Sequence, residues 1–133
     1  MWRNILAVIA GGISGMIANM SLIIIGKKMI PLLDGMDSMN AENWSLEYFI
    51  FPFTAHAIGT FVGAFITTKI STSYHFLLAN SIGLFFLAGG IAMVLILPAP
   101  NWFVQTDLIL AYVPMSILGW KLCGGSFKTL KNV

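Results

Sequence analysis

Residues 48–70 read YFIFPFTAHAIGTFVGAFITTKI. The stretch holds no acid, and its one lysine, Lys69, stands beside its end. A hydrocarbon core about 30 Å thick is crossed by about 20 mostly apolar helical residues, so this length fits one pass. No apolar/polar alternation runs through it, which argues against a barrel strand. Within lipid every backbone amide needs a partner, and that leaves a helix as the spanning form.

Three further windows meet the same criterion, at about 3–26, 75–97 and 101–121. The sequence therefore predicts an all-α membrane protein, a four-transmembrane-helix bundle built as one domain over 1–133. Composition agrees. Of 133 residues, 58% are hydrophobic and 9% charged, whereas a soluble domain carries about 25% charged residues. Lipid is the solvent for most of this surface, and the bilayer is the first expected partner. A net charge of +2 without a basic cluster gives no footing for nucleic acid. The single Cys123 excludes an internal disulfide framework and reads as a small, reduced residue near a helix end. The first window has only Arg3 as a basic start and no Ala-x-Ala stop, so a retained span is expected rather than a cleaved signal.

Orientation follows from the basic residues. With both termini in the cytoplasm, Arg3, Lys69, Lys121, Lys128 and Lys131 lie inside, and Lys27 and Lys28 lie outside among Asp34, Asp37, Glu42 and Glu47. Trp2, Trp44, Tyr48, Tyr74, Trp102 and Trp120 fall near span ends and are expected at the interfaces. The extracytoplasmic connector between the first two spans is the long one. Its Met29, Ile30, Leu32, Leu33, Met36, Met39 and Trp44 are too apolar for a freely solvated loop. A partly ordered cap on the bilayer surface is expected, with a helical turn after Asn40. The short connectors are Ser73-Tyr74-His75 and Pro98-Ala99-Pro100-Asn101.

Helices already in lipid associate by close backbone approach, so small residues mark the seams. The first span offers Ala7, Gly11, Ser14, Ala18 and Ser21, with a second line of Gly12, Gly15 and Asn19. A helix small on two sides is expected to sit between neighbours. The second span offers Ala55, Gly59 and Gly63, the third Ala79 and Gly83, then Gly89 and Gly90. Ile58, Phe61, Val62, Phe65, Phe85 and Phe86 are expected to face acyl chains. The same seams suit a second copy of the chain or a larger membrane partner.

Polar residues at depth are the candidates for function. His56 lies about 12 Å below the outer end of its helix, and Asp107 about 9 Å below that of the fourth span. Asn19 falls at similar depth in the first. These three, with Thr60 and Tyr112, are predicted to form one polar cluster in the outer third; Gln105 and Glu47 could extend it. Pro114 frees the carbonyl of Leu110 nearby. Asn80 reads as a simple interhelical hydrogen bond. An ionised aspartate at mid-depth costs about 3 kcal/mol on insertion scales. Three readings stay open: a polar clamp fixing helix register, a site for a ligand, proton or ion, or an Asp107 reaching to the interface.

One buried histidine and one aspartate fall short of a metal site, and no cofactor is expected. Cys123 and His56 lie at opposite ends, so no nucleophile has a placed base and no catalytic residue is assigned. Asn43-Trp44-Ser45 matches a glycosylation acceptor, a pattern that arises often by chance. A non-enzymatic bundle leads, with transport of a small solute, proton or ion through His56 and Asp107 as the alternative.

The stretches FPFTAHAIGTFVGAF (51–65) and LPAPNWFVQTDLILAYVP (97–114) resemble a group of small, uncharacterised four-span bacterial membrane proteins. The likeness implies a bacterial inner-membrane location and carries no activity. The size is similar to that of small multidrug exporters, but the first span lacks the embedded glutamate which that family needs.

Overall fold

A computed structural model describes residues 1–126 of the chain. Lys128 and Lys131, which contribute to the orientation argument, lie outside the described residues. The architecture is all helical: α1 (Trp2–Met29), α2 (Glu47–Ile70), α3 (His75–Ile96), α4 (Asn101–Leu110) and α5 (Val113–Leu122). Four helical passes are long and apolar enough to cross a membrane, the fourth being α4 and α5 taken together as Asn101–Leu122.

The fourth pass departs from the single helix expected over 101–121. It breaks at Ala111 and Tyr112, just before Pro114, which occupies the first turn of α5. A proline there has no N–H to donate and a ring that crowds the preceding turn, so the ladder must stop ahead of it.

The four passes form a rhombus. The α1–α2 seam is the most extensive, α2 and α3 touch across the short diagonal, and α1 makes no contact with α4 or α5. Spans two and four are therefore neighbours, whereas an up-down order read from sequence puts them on a diagonal. Close approach explains the seam. Gly11 lies against the carbonyl of Gly63 and the side chain of Thr67, Gly15 lies against the carbonyl of Gly59, and Gly26 against Phe51. Thr67 donates across the seam to the carbonyl of Ala7, at 3.2 Å. Gly12 and Gly89 have open space instead. Hence α1 is packed chiefly on one side, and touches α3 through Gly15 and Phe86. Gly83 and Gly90 of α3 accept Ser116 and the Tyr112 ring, and Gly119 lets α5 lie on the α2 backbone.

Several apolar side chains depart from expectation. Phe86 is buried in the core with Ile82, Ala57, Ala111 and Tyr112, while Phe85 and Ile58 are exposed. Trp120, near the end of α5, is buried against Phe76, Ala64 and Ala79, and Tyr48, at the start of α2, is buried beside Trp44. Trp2, Tyr74 and Trp102 are exposed near helix ends. A span that is apolar on every side carries no stripe to say which face its neighbours take.

The long loop is held by turns. Asp37 and Asn40 accept from the backbone N–H groups of Met39 and Glu42, and the Trp44 indole donates to the Asp37 carbonyl. Residues 42–43 form a turn, not a helix. The buried Ala41 donates its N–H to the carbonyl of Pro98 at 2.8 Å, which ties the loop to the α3–α4 connector. At the opposite end Asn4 clasps the α2–α3 turn. Its amide accepts from Thr72 N–H at 3.0 Å and donates to the Ser73 hydroxyl at 2.9 Å.

Candidate functional site: a buried histidine–aspartate pair at a broken helix

The site rests on α2 and on the break in the fourth pass. Asp107 is the single buried residue of α4. Its carboxylate meets His56 Nδ1 at 2.9 Å (Oδ1) and 3.0 Å (Oδ2). The Tyr112 hydroxyl donates to Oδ2 at 2.9 Å. An ionised carboxylate can only accept, so Nδ1 carries the proton in this pair and the ring's other nitrogen is left to act alone. Tyr112 also stacks on the imidazole, with ring centroids 5.7 Å apart and planes 27° from parallel. Glycine at position 90 makes room for the tyrosine ring, since a Cβ there would collide with it.

The chemistry of the triad follows from what it satisfies and what it leaves open. Every buried side-chain nitrogen and oxygen among the described residues has a partner. Among the described residues no hydrogen bond forms at His56 Nε2, so that atom belongs to the accessible part of a side chain 21% accessible, against 7% for Asp107. The pair thus has a sealed carboxylate and a reachable imidazole nitrogen. Such an arrangement can take a proton at Nε2 and balance the resulting charge on Asp107. Among the described residues no group of three or more His, Cys, Asp or Glu side chains gathers to hold a metal.

No protein-family model, curated protein or solved structure matches this chain. The site must be read from its own geometry.

Of the five predicted cluster residues, three come together: His56, Asp107 and Tyr112. Thr60 is buried one turn further along α2, and its hydroxyl is spent on the carbonyl of His56, at 2.8 Å. Asn19 lies on α1 against Gly59 and makes no hydrogen bond among the described residues. It faces the α1–α2 seam, and α1 does not reach α4. Glu47 accepts from Ser45 in the loop, and Gln105 is exposed, so neither extends the triad. Asn80 behaves as expected, accepting from Ser116 of α5 at 3.2 Å. The predicted packing glycines Gly11, Gly15, Gly59, Gly63 and Gly83 all meet a neighbouring helix. The sequence reading missed the break as part of the site. Pro114 was its signal, but the discontinuity falls two residues earlier, where Tyr112 turns back to Asp107.

Proposed function

We propose that the chain is a small, non-enzymatic, multi-pass protein of a bacterial cytoplasmic membrane that binds and releases a proton at His56–Asp107–Tyr112. It works as part of a transport or conduction process, together with further copies of itself or a larger membrane partner. One observation carries this: a carboxylate sealed within the bundle and hydrogen-bonded to an imidazole sits beside a break in a spanning helix, while the imidazole keeps one nitrogen open. Ionisable groups inside a membrane are costly and are functional candidates for that reason. Interrupted helices at membrane depth are a recurrent setting for transport sites. An imidazole is the side chain whose charge changes between about pH 5 and 8. The resemblance of segments 51–65 and 97–114 to small bacterial four-span proteins supports the cellular location.

The test has two arms. In protein labelled with ¹⁵N-histidine in bilayers, the His56 imidazole should pass from a singly to a doubly protonated form as the pH is lowered. Vesicles loaded with a pH-sensitive dye should then admit protons after an acid pulse, and His56→Ala and Asp107→Asn should abolish this while both variants remain folded in the bilayer. An imidazole fixed in one state throughout, with both variants merely less stable, would make the triad a structural clamp and end the proposal.

A further inference from the structure

We infer that α4 is a gate hinged at Ala111–Tyr112, and that the Tyr112–Asp107 hydrogen bond is the latch that proton uptake loosens. The inference rests on the proton-binding reading and names what that site controls.

The two halves of the fourth pass are unequally held. α5 packs broadly on α2 and α3 through Gly119, Ser116 and Trp120. α4 touches α2, α3 and α5 only sparsely, and buries a single side chain, Asp107. At its loop end Trp102 and Phe103 lean on Phe49. The backbone joins the halves weakly. Ala111 N–H bonds to the Asp107 carbonyl, and the next such bond runs from Ser116 N–H to the Tyr112 carbonyl. Between them no backbone bond among the described residues crosses from α5 to α4. The crossing is made by side chains, with Tyr112 reaching back over the break to Asp107 at 2.9 Å.

The sign follows from charge. With the pair deprotonated, Asp107 carries an uncompensated negative charge that draws on both of its donors, and hydrogen bonds to an ionised acceptor are about twice as strong as neutral ones. A proton taken at Nε2 makes His56 an imidazolium that claims more of the charge on the carboxylate it shares with Tyr112, so Oδ2 becomes a weaker acceptor for the Tyr112 hydroxyl and α4 is held less firmly. Among the described residues no other charged side chain is hydrogen-bonded or ion-paired to the triad. Arg3, Lys27 and Lys28 lie toward the ends of α1, Glu47, Tyr48 and Lys69 toward those of α2, His75 opens α3, and Lys121 lies in the last turn of α5.

Spin labels at Gln105→Cys in α4 and Leu118→Cys in α5, both exposed positions, read the hinge in a Cys123→Ser background. The unsubstituted triad should give one narrow distance near pH 8 and an added second population near pH 5. Tyr112→Phe, which keeps the ring and deletes the hydroxyl, should show the second population already near pH 8. Asp107→Asn should do the same, and carries the test if Tyr112→Phe loses helicity. Identical distributions in all three proteins at both pH values overturn the latch. If His56 titrates while the distances stay fixed, the gate fails and the proton site stands. If His56 does not titrate but Tyr112→Phe still broadens the distance, the latch stands and the proton that works it does not.

Discussion

Asp107 is worth more to the fold than its size suggests, because two donors depend on it. Asp107→Leu strands His56 Nδ1 and the Tyr112 hydroxyl in the bundle, whereas Asp107→Asn keeps an acceptor for one of them. Interhelical hydrogen bonds in membranes average about 0.6 kcal/mol and reach about 1.7, and a charged acceptor belongs at the upper end. A double-mutant cycle on His56 and Asp107, read by reversible unfolding in bicelles, should give a coupling of about 1–2 kcal/mol. Asp107→Leu should cost more than Asp107→Asn; equal costs would contradict the shared carboxylate. His56 and Asp107 were legible in the sequence because an ionisable group within an apolar span stands out against its neighbours. Asn19 stays apart from the triad because α1 packs on α2 without reaching α4, which depth alone does not say. Asn4 was passed over since nothing local shows that an asparagine at one end will cap a turn far along the chain.

Each helix shows its boundaries more plainly than its faces. Length and hydropathy placed the four passes to within a few residues, except that α1 runs to Met29. The small residues were legible as seams, but not the register that makes Gly11 and Gly15 contacts while leaving Gly12 open. That difference is testable on one helix. A Cβ at Gly15 would stand 2.6 Å from the Gly59 carbonyl oxygen, and one at Gly12 meets nothing within 4 Å. Gly15→Ala should therefore force α1 from α2 and cost about 1–3 kcal/mol. Gly12→Ala should be neutral or stabilising, by up to about 1 kcal/mol, because alanine is the better helix former. Thermal unfolding in one detergent decides it, and equal losses would refute the register.

For the molecule entire, the bundle was legible and its cross-section was not. Chain order does not dictate which two of four helices form the short diagonal; here Gly63 against Ile82 brings α2 and α3 together. The basic residues predict an orientation that puts the long loop outside. In a Cys123→Ser background, Met39→Cys should react with a membrane-impermeant thiol reagent on intact bacteria. Ser73→Cys, in the exposed turn at the other end, should react only after permeabilisation. The reverse pattern would invert the protein.

The tie between Ala41 and Pro98 also has a temporal side. The anchor of the long loop is synthesised after the third pass, so a nascent chain stalled before Pro98 should present a loop that protease cuts faster than that of the finished chain. Equal cleavage of the two would show that this tie does not fasten the loop.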